Sequence, residues 1–274
     1  MDRNGIITSV IQYTQESPGN YISGETAILP EYAGMKIFDT PIFAFGSTDD
    51  EVYQRYLSTD VIGNHFLPPL EWLPGAKTVI SCFLPYTDRI KQANAADYYW
   101  PAGEWLHGRY EGQLFVRDLT GHILKTLEGA GYKSIAPMLD TRFKIGNSMT
   151  KYTSNWSERH AAYACGLGTF GLSKGIITEK GMCGRLCSVI TVLDLPKNNR
   201  PYHDVYEYCS MCGACVKHCP AQAISIKDGK RHPPCDAFLD EVLVKEKPRY
   251  GCGKCQVRVP CESGIPKSKA ITAG

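Results

Sequence analysis

The hydrophobic pattern of this chain changes period several times, and each change marks an element. Thr78 to Leu84 is a β-branched, apolar run closed by Pro85 and preceded by the turn Leu73-Pro74-Gly75, which predicts a buried strand. Val116, Leu119, Ile123 and Leu127 recur at helical spacing, and Gly129 and Gly131 supply the stop. Ser134 to Leu139 reads as a second strand. The order strand, helix, strand favours an α/β layer over an all-β sandwich. A second helix is announced by Ser154 or Ser157 as N-cap, by an early Glu158 and by Ala161, Ala162 and Ala164; it runs into Cys165-Gly166-Leu167-Gly168-Thr169-Phe170-Gly171. The extended stretches Gly175–Glu179 and Leu186–Leu195, separated by Gly181 and Gly184, predict a hairpin. Before Trp72 the pattern is mixed, and the apolar pieces Ile37–Phe38 and Pro41–Phe45 settle no element. The polar, proline-flanked segment Pro196–Pro201 divides the chain into domains 1–198 and 199–274.

Composition narrows the class. With 274 residues, 43% hydrophobic and 21% charged, the chain can bury a sizeable core, and disorder, collagen-like repetition and coiled coil are excluded. A net charge of +2 gives no global bias towards polyanions. No apolar run reaches the ~18 residues that span a bilayer, and the first residues carry no export leader, so a cytoplasmic protein is expected.

The cysteines carry most of the chemical information. There are 12, and eight lie between Cys209 and Cys261. Such clustering in a chain of this size points to metal ligation rather than to a disulfide scaffold. Cys209-x2-Cys212-x2-Cys215-x3-Cys219-Pro220 has the spacing of a bacterial ferredoxin run, in which the fourth cysteine serves the other cluster. Three thiolates on a tight loop wrap one iron–sulfur cubane, and Cys219 points to a neighbour. Cys252-x2-Cys255 supplies most of a second set. Cys235 and Cys261 complete the count, so eight cysteines fit two 4Fe–4S clusters. Cys261 is assigned to Cys209, Cys212 and Cys215, and Cys235 to Cys219, Cys252 and Cys255; exchange of those two is the open alternative. A zinc site would leave four cysteines and the Cys-Pro pair without a role. Two clusters form an electron wire, and the long preceding domain is the natural place for its terminus.

The Gly166-x-Gly168-x2-Gly171 spacing follows a helix rather than a strand, which argues against a dinucleotide-binding turn. Together with the ferredoxin run it carries a resemblance. Leu73 to Ile80, Glu158-Arg159 leading into Gly166-Leu167-Gly168, the Cys209 run and Tyr250-Gly251-Cys252-Gly253-Lys254-Cys255-Gln256 resemble the cobalamin-dependent iron–sulfur reductases typified by epoxyqueuosine reductase and, more distantly, the corrinoid reductive dehalogenases. The resemblance spans Trp72 to Pro266. It implies an α/β fold (an α+β nitroreductase-like cobalamin-binding domain) followed by a ferredoxin-like domain with two 4Fe–4S clusters. It implies that Cys235 completes the second cluster, and that Gly166, Leu167, Gly168, Thr169 and Gly171 lie against the cobalamin, glycine permitting close approach.

Three positions depart from the family pattern. The aspartate expected six residues before Glu158-Arg159, the family's proton donor, is Tyr152, with Lys151 and Arg142 as candidate cations beside it; the dehalogenases use a tyrosine as acid. The last motif ends Cys255-x5-Cys261 without a following proline. Cys183 and Cys187 stand where the family has apolar residues and read as a redox pair, further ligands or buried thiols. His107, Arg109 and Tyr110 fall where the family lines its pocket. The segment from Glu241 onwards is locally basic, a possible contact for tRNA or an acidic donor. The expected function is a reductase passing electrons from a ferredoxin- or flavodoxin-type donor to cobalamin, with Tyr152 as acid and a small-molecule or tRNA substrate. The alternative is an electron-transfer or activating protein for a partner such as a corrinoid protein.

Overall fold

The computed structural model describes residues 1–147 and 150–267. Strands β1 (Ile42–Ser47), β2 (Thr78–Pro85), β3 (Ser134–Ile135) and β6 (Gly184–Thr191) form one sheet in the order β1-β2-β6-β3, and every neighbouring pair is antiparallel. β2 is buried along its whole length because both faces are covered, which explains its unbroken apolar run. Ile80, Cys82 and Leu84 face one core while Val79 and Phe83 face the other, the period-two alternation of a strand.

Helices α1 (Arg3–Glu16) and α5 (Gly103–Gly129) cover the first face. α1 begins at Asp2, whose carboxylate accepts the Gly5 N–H at 2.8 Å, and it buries Ile6, Val10 and Thr14. This stripe is too narrow to stand out in the sequence. α5 extends the expected helix towards its N-terminus to bury Trp105, Leu106 and Phe115 as well as the anticipated stripe. Burying each large apolar side chain contributes about 1.5–3 kcal/mol against the entropy of ordering it. Short helices α2 (Val52–Arg55) and α3 (Pro69–Trp72) and the capped helix α6 (Glu158–Cys165) close the second face, around Trp72 and Trp156. Ser157 is the N-cap of α6, and Gly166 ends it at φ 90°. Helix α4 (Asp88–Ala96) packs beside α5.

Two expectations are corrected. Only Ser134–Ile135 of the stretch to Leu139 is strand, since Pro137 starts a 3-10 turn. The hairpin is also different. The glycine-rich loop contains β4 (Gly168–Phe170), which pairs with β5 (Ile176–Thr178), while β6 sits between β2 and β3, where all its inward residues find cores.

The C-terminal segment holds α7 (Ala214–Lys217), the small ladder β7 (Ile224–Ser225) with β8 (Gly229–Lys230), and α8 (His232–Glu246). The expected boundary at 198 falls inside packed structure. Asn198 exchanges hydrogen bonds with the Phe45 backbone, and Tyr202 is buried in the second core with its hydroxyl donating to the Tyr163 carbonyl at 2.7 Å. Phe238 and Val242 of α8 pack on Leu106, and Val259 packs on Ile177 and Met182. The cysteine module is therefore seated on the sheet domain along several apolar contacts, with Val257 buried in the first core as well. Among the described residues, no helix is long and apolar enough to cross a membrane.

Candidate functional site

The ferredoxin-like run adopts the conformation its spacing requires. Met211 and Gly213 stand at positive φ, 49° and 72°, so the loop curls between Cys209 and Cys215, and Cys215 enters α7. Cys209, Cys212, Cys215 and Cys261 line one narrow void of about 20 Å³, open to solvent at the exposed Cys212. Cys219, Cys235, Cys252 and Cys255 line a second of about 180 Å³. The Cys219 sulfur accepts the Ala223 N–H at 3.2 Å, and Cys235 lies in the first turn of α8. The Cys252–Cys255 loop is clamped to α4. Buried Lys254 donates to the Asn94 and Asp97 carbonyls at 2.8 and 2.9 Å, while the Asn94 amide donates to the Cys252 carbonyl at 2.9 Å. Cys261 thus lines the void of Cys209, Cys212 and Cys215, and Cys235 that of Cys219, Cys252 and Cys255.

The electrostatics follow the same grouping. Burial, then the charges of Cys209, Cys215 and Cys212, pushes the Cys261 thiol up to about 12. Burial and the neighbouring Cys255, Cys235 and Cys219 do the same to Cys252. Each set therefore resists carrying four negative charges by itself, and a cationic centre reverses that balance. Among the described residues no three metal-ligating side chains close on a single ion. A zinc site needs sulfurs about 2.3 Å from one point. The sulfurs of each set line a common void instead.

Beyond the second set lies a larger cavity of about 390 Å³, and Cys255 lines both. Arg109, Gly184, Arg185, Lys230 and Gln256 are likewise shared. Lys230 sits against Cys235 and Cys255; burial works against its charge, yet the two sulfurs outweigh it and its pKa is raised. Glu158 lines the large cavity with both carboxyl oxygens buried and without a hydrogen bond of ordinary geometry; burial raises its pKa to about 7, offset in part by the neighbouring Ser188 and Trp156 side chains. The Gln256 side-chain oxygen is also buried without a partner. These orphaned acceptors and the cationic wall fit a large polar ligand with amide or anionic groups, which suits a corrinoid with its rim of amides.

A neighbouring cavity of about 380 Å³ shares Arg159 and Lys174 with the first and is lined by Tyr152, His160 and His232. The Tyr152 hydroxyl donates to Asp236 at 3.4 Å, and its ring lies parallel to His232 at 5.0 Å. Lys151 reaches Asp236 at 2.5 Å and stands 5.3 Å over the Tyr152 ring. Arg142 is elsewhere, donating to Asp140 and to the carbonyls of Glu71 and Trp72. The cations that share a cavity with Tyr152 are Arg159 and Lys174.

The glycine loop needs a different explanation from the one expected. A Cβ at Gly168 would stand 2.1 Å from the Ile177 carbonyl oxygen, and one at Gly166 3.3 Å from the Asn199 carbonyl oxygen. A Cβ at Gly171 would meet Ile177 at 3.2 Å. These glycines make room for the chain's own strands. Gly166, Leu167, Gly168 and Thr169 line neither large cavity, Gly171 lines the first thiol void, and Phe170 reaches the cavity of Tyr152. His107 is buried and bound on both ring nitrogens, to Glu111 at 3.0 Å and the Ile28 N–H at 3.1 Å, so only Arg109 of that trio reaches the large cavity. Lys174, Arg185, Lys230 and His232 escaped the sequence reading because each is an isolated polar residue brought in by the fold.

Residues 202–225 match the 4Fe-4S binding domain family. The chain is 26% identical to an epoxyqueuosine reductase of Cellulophaga algicola over 213 residues, covering 70% of this chain and 61% of that one. The fold superposes on an epoxyqueuosine reductase crystal structure with TM-score 0.55 at 19% identity, over 96% of this chain and 67% of the other. The chain is epoxyqueuosine reductase-like. It is also 36% identical over 96 residues to a tetrachloroethene reductive dehalogenase of Dehalobacter restrictus, covering 34% of this chain and 17% of that protein. An epoxyqueuosine reductase-like chain of this length thus spans about three-fifths of its Cellulophaga algicola relative.

Proposed function

We propose that this protein is a cytoplasmic iron–sulfur reductase that passes electrons through two 4Fe–4S clusters to a bound cobalamin, which reduces a small-molecule substrate. The observation that carries the reading is Cys255, which lines both the second thiol cavity and the large cavity with the orphaned Glu158. When bound, the clusters would supply electrons one at a time and the corrinoid a low-valent cobalt.

The chain's own residues supply the rest. Cys209, Cys212, Cys215 and Cys261 would hold the entry cluster, where exposed Cys212 faces a ferredoxin- or flavodoxin-type donor. Cys219, Cys235, Cys252 and Cys255 would hold the second, against a wall carrying Lys230, Arg109 and Arg185. Those cations offset the negative charge that thiolates and reduction bring. Tyr152 would deliver the proton from the neighbouring cavity, with Asp236 fixing its hydroxyl. A tyrosine in the place of the family aspartate favours a chemistry nearer the dehalogenases than epoxide reduction on tRNA.

Anaerobic purification from cobalamin-supplemented cells, with iron, sulfide and cobalt analysis, tests the proposal. About eight irons and one cobalt per chain are expected. Irons without any affinity for cobalamin would make the protein an electron carrier for a partner instead. Tyr152→Phe should lower turnover by about a hundred- to ten-thousand-fold with iron and cobalt contents unchanged. Unaltered turnover would remove Tyr152 from the acid's role, and retention of tRNA in a gel shift at physiological salt would restore the nucleic-acid substrate.

A further inference from the structure

Five cations line the large cavity: Arg109, Arg159, Lys174, Arg185 and Lys230, with Glu158 as the one carboxyl. None of the five is in a salt bridge among the described residues. Arg109, Arg185 and Lys230 also line the second thiol cavity, so the sulfurs there account for their charge. Arg159 and Lys174 do not. They stand where the two large cavities meet, on the side of Tyr152.

Their local geometry is built to keep them together. Arg159 Nη1 donates to the Lys174 carbonyl at 2.6 Å, which pins the turn that carries Lys174, and Arg159 lines both cavities. Lys174 is held at φ 62°, a left-handed conformation that glycine adopts without strain and lysine does not. A lysine at that place supplies a side chain at the expense of the backbone. Lys174 is half-buried, and burial and then Arg159 work against its charge, while Arg159 stands exposed on the cavity wall. No acidic side chain among the described residues pairs with either cation. His160 and His232 are pushed towards the neutral form, Asp60 lies in the outer cavity without pairing with either cation, and burial favours the neutral form of Glu158.

We infer that Arg159 and Lys174 form a recognition site for a carboxylate or phosphate group, the anionic end of this enzyme's substrate. The fork of a guanidinium beside an ammonium matches the oxygens of either group. An anion seated there places the rest of the substrate between Tyr152 and the part of the cavity that Cys255 lines. The inference rests on reading this cavity as the reaction site.

Calorimetric titration of the anaerobically purified, cluster-loaded chain with inorganic phosphate, and separately acetate, at constant ionic strength tests it. Saturable binding at one site is expected. Arg159→Gln and Lys174→Gln should each weaken it by about tenfold or more, with Lys125→Gln on the exposed face of α5 as the unaffected control. Lys174→Gly separates charge from folding, because glycine suits the turn: it should leave cluster absorption and thermal stability intact and still lose the anion. No saturable binding, or binding indifferent to these variants, overturns the inference. Repeating the titration with cobalamin and with cobinamide, a corrinoid lacking the nucleotide phosphate, distinguishes the source of the anion. Phosphate excluded by cobalamin alone would assign the pair to the corrinoid and overturn a substrate role. Phosphate binding in a chain that takes up no cobalt would retire the proposed reaction and leave the site standing; cobalt uptake without phosphate binding would do the reverse.

Discussion

The four cysteines of the sheet domain and the eight of the C-terminal module have the same side chain and opposite surroundings. Cys82 and Cys187 face each other across β2 and β6 inside the first core, and Cys165 lies under Gly46 with its thiol donating to the Val79 carbonyl at 3.4 Å. Cys183 donates to the Gln256 carbonyl at 2.9 Å. All four are closely packed and about 1% exposed. The module's cysteines are less buried, yet they gather in fours around voids. Burial by itself therefore makes a thiol a small hydrophobe, whereas ligation needs thiols that converge. Cys183 and Cys187, four residues apart in sequence, end on different partners, so the structure does not make them a pair.

The largest test of this contrast replaces one cysteine from each region. Cys255→Ser should leave about four irons per chain in place of about eight and abolish turnover, because Cys255 belongs to the second set and lines the cavity beyond it. Cys165→Ala should keep the full iron and sulfide content. Equal iron loss in both variants would dissolve the distinction between packed and ligating thiols.

A second test compares how the two regions handle buried charge. In the module, the thiols of Cys252 and Cys261 are pushed up by burial and by neighbouring thiols. In the sheet domain the corresponding group is Glu158, raised by burial from 4.5 to about 7 with neither oxygen in a hydrogen bond of ordinary geometry. A carboxyl with a raised folded pKa binds its proton more tightly in the native state than in the unfolded one. Its contribution is thus fully present below pH 4.5 and lost as pH rises through about 7. The loss is at most about 3.5 kcal/mol, from ~1.4 kcal/mol per pKa unit. In cobalamin-free protein, unfolding temperature should fall over that window, and Glu158→Gln should flatten the fall. Addition of cobalamin should flatten it as well if the carboxyl finds its partner there.

The pattern of the sequence made some of this legible and hid the rest for identifiable reasons. β2 was readable because burial on two faces leaves an unbroken apolar run, and α6 because Ser157 and Gly166 cap it chemically. The run from Cys209 to Cys219 was readable because cysteines at short fixed spacing stand out locally, and residues 202–225 match a 4Fe-4S binding domain. β1 was missed, since its glycine and short length give a weak signal, and β4 was hidden in a loop whose glycines looked like a ligand cradle. Gly168 is glycine because the β5 backbone occupies the place of its Cβ. Only the folded chain reveals that Lys174 and Lys230, 56 positions apart, line one cavity. No periodicity records such a meeting of single polar residues.

The smallest expected effect is at the pair most easily mistaken for a redox centre. Cys82 and Cys187 are direct cross-strand partners, and burial holds the Cys82 thiol well above its ordinary range, with Cys187 adding to it. A thiol so far from ionising is a poor nucleophile, and both side chains sit among Ile80, Leu84 and Val189. Cys82→Ala and Cys187→Ala should each destabilise the fold by about 1 kcal/mol through the cavity left behind. Because the two side chains touch, the double variant should cost less or more than the sum by a few tenths of a kcal/mol to ~1 kcal/mol, read by chemical denaturation. Iron content and turnover should not move. A drop in either would mean that the sheet's thiols take part in electron transfer, and the division between the two regions would have to be redrawn with Cys187 on the other side.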